Sequence, residues 1–288
     1  MNVSYLYVPA ARLDRVLANR RQVEANVIVL DVEDSTHLHS KADARAKIAD
    51  ADLAPLTALG LELGIRINAL TTFDGVRDLD MLRQVFERGD AKISYVFVPK
   101  INGPGDVRIY RSLFSTLPIR PKIVSYIETI DAVENADAIA AVSDAVCFGQ
   151  ADLVAGMYSP NTSYIDYARA RMCVAAAKHK LLAIDTSSFE IQDMARFEAE
   201  CTAAKSYGFT GKAAIHPRQV PGINRIFGVS PETIARYRST IERYESAEVG
   251  FQLDNGDIIA PPFVAKARLM LQLYGNGPAP QQRDEEAR

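Results

Sequence analysis

Short apolar runs recur along the chain, and a stretch long enough for a helix and its loops separates each from the next. They read SYLYVPA, NVIVLDVEDS, ELGIRINAL, SYVFVPK, KIVSYIET, AVCFGQADL, KLLAIDTSS and GKAAIHPRQ. Each is β-rich and hardly alternates between apolar and polar positions. Parallel strands show that pattern when helices cover one face and packed side chains fill the other. Eight such units predict an α/β chain folded as a (β/α)8 TIM barrel.

The helical segments carry their own punctuation. Ser40 opens SKADARAKIADA with Asp43 three places on, close to a capping box. Ser230 followed by Pro231 reads as N-cap and first-turn proline, and Gly208 as a C-terminal glycine. Met194, Phe197 and Cys201 recur at helical spacing and should face inward. NGPGD after the fourth run lacks the Lys-Ser/Thr of a phosphate loop and reads as a turn before a helix.

The expected organisation is a catalytic barrel over residues 1–249, followed by an extra C-terminal strand and helix segment over 250–275. That segment, GFQLDNGDIIAPPFVAKARLMLQLYG, is more than a barrel needs and is expected to pack on the rim or on a neighbouring subunit. Residues 276–288, ending in PAPQQRDEEAR, read as a disordered tail.

Composition narrows the class of partner. With 288 residues, 48% of them hydrophobic, the chain can bury a large core. A formal charge of -3 argues against nucleic acid or an anionic membrane as partner. MNVSYLYVPAARLDR lacks the basic start and long apolar centre of a signal peptide and reads as a strand running into a helix, no apolar run is of membrane length, and Cys147, Cys173 and Cys201 are scattered, as reduced thiols of a cytoplasmic protein would be.

The polar residues collect where strands end: Asp31, Glu33 and Asp34; Arg66 and Asn68; Lys100; Glu128; Asp152; Asp185; His216. Barrel enzymes build their sites on that rim. Glu128 and Asp152 end consecutive runs and should lie side by side. Two hard oxygen donors without Cys or His nearby suit Mg²⁺, or Mn²⁺, better than zinc, although helix capping or arginine pairing would also account for them. Arg66 adds a fixed positive charge able to stabilise an enolate or carboxylate. Glu33 and Asp34, close behind Asp31, are expected to hold metal-bound waters or orient Arg66. Lys100 could form a Schiff base only if burial depressed its pKa, which the neighbouring acids oppose. His216 reads as a base or as a structural residue, and His37 and His39 as loop residues near substrate.

The pieces YVPAARLDRVL, VIVLDVEDS, IRINAL, YVFVPKI, VSYIETIDAVENADAIA, VCFGQADL, YARARMCVAAAKHKLLAID and GFTGKAAIHPRQVPGINRIFGVS resemble, in this order, the citrate lyase β-subunit-like family of the HpcH/HpaI aldolase superfamily. The resemblance implies a barrel, trimeric or a dimer of trimers, that uses Mg²⁺ to make or break a carbon–carbon bond through an enolate. It implies Glu128 and Asp152 as metal ligands, Arg66 as the enolate-stabilising arginine, and Glu33 and Asp34 as acids behind the metal waters. Arg12, Lys100 and Arg66 are the candidate substrate-binding cations. Implied substrates are malyl-, citramalyl- or citryl-thioesters, carried on CoA or an acyl carrier protein; the alternatives are a pyruvate-type aldolase of free acids and a non-catalytic ligand-binding subunit. There is one departure. Relatives acting on malyl- and citramalyl-CoA often carry an acid/base Asp in a segment like MIDxP, whereas this chain reads DIIAPP and has Ala260 there, with Asp254 and Asp257 out of register. That weighs against thioester hydrolysis.

Overall fold

All eight apolar runs form strands. The computed structural model describes residues 2–89, 92–247, 250–254 and 257–274. The strands are β1 (Ser4–Pro9), β2 (Val27–Asp31), β3 (Glu62–Arg66), β4 (Ile93–Val98), β5 (Lys122–Ile127), β6 (Ala145–Phe148), β7 (Leu182–Asp185) and β8 (Gly211–Ala214). They pair in parallel in sequence order, and β1 closes the barrel by pairing with both β2 and β8. All five residues of β2 are buried, the two-sided burial that its unbroken VIVLD pattern requires.

Parity divides the strand side chains between two layers. Tyr5, Tyr7, Val27, Val29, Tyr95, Phe97, Val124, Tyr126, Cys147 and Ile184 form the cluster that fills the barrel. Its rings meet edge to face, Tyr7 and Phe97 at 5.8 Å and 69°. All three cysteines are buried and free.

The helix signals hold with one exception. Ser230 accepts a hydrogen bond from Thr233 N–H ahead of the helix Pro231–Glu245. Gly208 ends the helix Met194–Tyr207 at φ 109, a conformation that favours glycine. In that helix Phe197 and Cys201 are fully buried and Met194 is half-buried. NGPGD does lead into a helix, Pro104–Phe114, where the Asp106 carboxylate accepts from the N–H groups of Asn102 and Gly103. Ser40 forms no capping box. A short turn, Leu38–Ser40, runs directly into the helix Lys41–Asp50, and a serine that already has helical backbone angles cannot turn its hydroxyl back onto the first free N–H groups.

The barrel unit spans Asn2–Phe227, and the described residues from Gly228 to Tyr274 form a second compact unit. In the second, the helices Pro231–Glu245 and Pro261–Tyr274 pack together, with Arg268 2.9 Å from Glu245. A hairpin of Gln252–Asp254 and Asp257–Ile259 joins them. The side chains of Asp254 and Asp257, and the expected tail over 276–288, lie outside the described residues. Among the described residues no helix is long and apolar enough to cross a membrane.

Candidate active site

The C-terminal ends of β1, β2, β3, β5 and β6 bring the candidate residues to one mouth of the barrel. Arg12, Asp31, Asp34, Arg66, Glu128 and Asp152 line a single cavity of about 360 Å³. Glu33 and Lys100 stand immediately beside these residues and reach them by ion pairs.

Arg66 ends β3 and is the most constrained of the group. Its Nε and Nη2 donate to the two oxygens of Asp31 at 2.8 and 2.6 Å, the fork-on-fork geometry that only a guanidinium provides. The carbon of the guanidinium lies 5.4 Å from the Tyr7 ring centroid and 5.8 Å from that of Tyr126. The two phenols are joined in turn, Tyr126 Oη donating to Tyr7 Oη at 2.6 Å. Nη1 sits 2.8 Å from Glu33 Oε2 and 3.6 Å from Asp34. The Glu33 contact is an ion pair without hydrogen-bond alignment, so Oε2 stays buried and without a hydrogen bond.

The acids around Arg66 differ in how tightly they hold a proton. Burial works to raise the pKa of Asp31, but the Arg66 guanidinium and the N–H groups of Glu33 and Ser35 outweigh it and hold the carboxyl below its ordinary value. Burial dominates at Glu33, where Asp34, Glu128 and Asp31 add like charge, and pushes its carboxyl up to about 8. Asp31 is therefore the firmly ionised partner of Arg66, and Glu33 is the acid beside it that takes up a proton more readily.

Glu128, one residue past β5, is 1% exposed. Glycine follows β6 for a steric reason: a Cβ at Gly149 would fall 2.5 Å from both Cβ and Oε2 of Glu128. Asp152 comes from the first turn of the short helix Gln150–Ala155. The Lys100 ammonium bridges the two acids, hydrogen-bonded to Asp152 and 3.5 Å from Glu128 Oε1. The Lys100 N–H donates to that same oxygen at 2.7 Å. Burial raises the Glu128 carboxyl, with Lys100 opposing and Asp152 adding to the shift. For Lys100 itself burial acts downward, yet the hydrogen bond to Asp152 and the field of Glu128 leave its pKa raised, which removes the basis for a Schiff-base role.

Glu128 and Asp152 already share one cation, the lysine ammonium, so two carboxylate oxygens converge on a point where positive charge is held. Among the described residues no group of three or more His, Cys, Asp and Glu side chains is arranged to hold a metal ion. Two carboxylates, with water or substrate oxygens to complete the set, would fit Mg²⁺ and would not make a closed zinc site.

Other rim residues have structural roles. Asn68 donates from its side chain to Val32 O and to buried Asp78, and accepts from the Lys41 ammonium. His216 Nδ1 accepts from Arg218 N–H and caps a short turn. His37 and His39 are exposed, their rings 5.1 Å apart. Asp185 points away from the barrel interior and takes Lys212 Nζ at 2.5 Å and Arg169 Nη2 at 2.7 Å. Sequence reading missed Tyr7, Tyr126 and Lys212. A lysine inside an apolar strand, GKAA, is a signal for a buried ion pair. The tyrosines give none, because both faces of their strands are apolar.

The model of the HpcH/HpaI aldolase/citrate lyase family matches residues 4–217, most of the chain. The chain belongs to that family. Among family members, the (3S)-malyl-CoA thioesterase of Cereibacter sphaeroides is 27% identical over 281 residues, covering 93% of each chain. The citrate lyase subunit beta of Escherichia coli is 28% identical, covering 93% of this chain and 91% of its own. The solved structure of CitE from Mycobacterium tuberculosis in complex with magnesium, acetoacetate and coenzyme A matches with a TM-score of 0.71 at 26% identity, over 95% of this chain and 98% of that one. The family's members include a lyase subunit and a thioesterase, so membership gives an enzymatic lineage and leaves the reaction to the site.

Proposed function

We propose that this protein is a Mg²⁺-dependent carbon–carbon lyase that cleaves or forms a 3-hydroxyacyl thioester of the malyl, citramalyl or citryl kind through an enolate. The observation that carries the reading is the gathering of Arg66, Glu128 and Asp152 on one cavity. Glu128 and Asp152 would hold the cation, which when bound supplies Lewis acidity toward a substrate carbonyl. Arg66, fixed by Asp31 and the tyrosine rings, offers its free field to oxygen that becomes negative as the bond breaks. Glu33 acts behind Arg66 as a positioning acid. Arg12 and Lys100 supply charge for the carboxylate of the acid. The reading includes a homotrimeric or hexameric cytoplasmic enzyme, with Mn²⁺ as substitute metal and an acyl carrier protein as alternative carrier.

The magnesium, acetoacetate and coenzyme A of the CitE relative support a thioester-handling site. Against hydrolysis stands Ala260, at the position where the resemblance places the acid/base Asp that relatives acting on malyl- and citramalyl-CoA often carry. The same residue favours one alternative, an aldolase acting on free 2-oxo or 2-hydroxy acids. NMR of full-length protein with Mg²⁺ separates these readings. Malyl-CoA or citramalyl-CoA should give acetyl-CoA with glyoxylate or pyruvate. Release of free CoA alone would contradict the lyase assignment, and turnover confined to free hydroxy-oxo acids would establish the alternative.

A further inference from the structure

The Lys100 ammonium lies between Glu128 and Asp152, and its backbone and its contacts set it apart from an ordinary rim lysine. Its backbone lies in the left-handed region at φ 53, which residues with a Cβ seldom adopt. That turn lets one residue engage Glu128 twice, through the N–H at 2.7 Å and through the ammonium at 3.5 Å, while the ammonium also bonds Asp152. A backbone N–H alone would be supplied more readily by glycine, which takes this φ freely. Retaining lysine there places a positive charge between the two acids.

We infer that Lys100 is a built-in counter-cation that exchanges with the divalent metal, holding Glu128 and Asp152 together in its absence and leaving their oxygens when it enters. This rests on the proposed metal site. Two adjacent carboxylates, one of them buried, repel each other unless a cation sits between them. The ammonium answers that need with one charge and a divalent ion with two. Both cannot share the same oxygens, because at contact distance ammonium and metal repel strongly in this partly buried setting. Lys100 therefore keeps the site assembled and lowers its metal affinity. A lysine serving only as a rim ion pair would do neither.

Isothermal titration with MgCl₂ after chelator treatment, run on full-length wild type, Lys100→Gly and Lys100→Arg, tests the exchange. Glycine accepts the φ and keeps the N–H to Glu128, so the variant loses the side chain with its charge, and Lys100→Met loses the charge while keeping an apolar chain. Lys100→Gly should bind Mg²⁺ about tenfold tighter or more, given the worth of one charge-assisted hydrogen bond. It should also melt lower without metal and gain more from Mg²⁺, while Lys100→Arg stays near wild type. Lys100→Met carries the same expectation, so a folding defect in one variant leaves the other to decide. Mg²⁺ binding by Lys100→Gly but not by wild type would support the competition between ammonium and metal while overturning Mg²⁺ dependence of the wild-type protein. Unchanged or weaker affinity in both uncharged variants, with wild type binding, would overturn the exchange and leave the metal site standing. Binding by none of the proteins would overturn both.

Discussion

Replacing Arg66 by lysine should lower kcat by roughly two to three orders of magnitude, the usual cost of removing a preorganised donor at a developing oxyanion. Lysine keeps the charge, so folding should survive and the Mg²⁺ affinity should stay close to wild type. What it loses is geometry. One ammonium cannot reproduce the fork onto both Asp31 oxygens at 2.8 and 2.6 Å, nor lie flat against Tyr7 and Tyr126. Its charge would wander by more than the reaction tolerates. Substrate binding before the chemical step uses the charge and less of the geometry, so KM should change less than kcat. Steady-state kinetics on whichever substrate is turned over, with melting curves as the folding control, checks this. A variant with wild-type kcat would remove Arg66 from the chemistry. Arg66→Ala is the poorer experiment, because it leaves buried Asp31 without its cation and a folding defect would obscure the reading.

The second large effect concerns stability and lies behind the barrel wall. Asp185 is fully buried between two cations, Lys212, itself 2% exposed, and Arg169. Arg169 also stacks over Phe148, Tyr207 and Phe209 at 5.0 to 5.5 Å, so it cannot swing to solvent without giving up those contacts. Asp185→Asn would leave the buried Lys212 and the partly buried Arg169 facing each other with no counter-charge. A broken buried pair costs about 3–5 kcal/mol. For a chain of this size that corresponds to a fall in Tm of roughly 10 °C. Lys212→Met should cost far less: Asp185 keeps Arg169, and methionine fills a similar apolar volume. Calorimetry of the two variants tests the ordering. A Lys212→Met protein less stable than Asp185→Asn would mean that the lysine's bond to Thr186 O, at 2.8 Å, matters more than the charge balance.

Much of this was legible from the chain because the barrel imposes simple rules on sequence. A parallel strand buried on both faces tends to be an unbroken apolar run, and β2 can be found on that ground alone. A polar residue directly after such a run must sit at the mouth, which located Arg66, Lys100, Glu128 and Asp152 before any coordinates. The same rule over-reads, since it takes every terminal polar residue for a rim residue. Asp185 shows the failure: it ends β7 yet points outward, and only strand parity distinguishes it from Arg66. In a strand buried on both faces no polar alternation reveals parity. For the same reason Tyr7 and Tyr126, which hold the guanidinium, carried no signal. The capping box at Ser40 failed because the preceding turn was unforeseen, and its helical backbone angles override the side-chain preference.

The account stands on one cation shared by Glu128 and Asp152 in front of Arg66. Electron paramagnetic resonance of Mn²⁺, titrated into wild type, Glu128→Gln and Asp152→Asn, addresses that directly. One bound ion per chain is expected in wild type, displaced by Mg²⁺, with binding lost or weakened at least about a hundredfold when either carboxylate becomes an amide, beyond the 10–100-fold typical of outer-sphere partners. Mn²⁺ binding unchanged in both variants would contradict it.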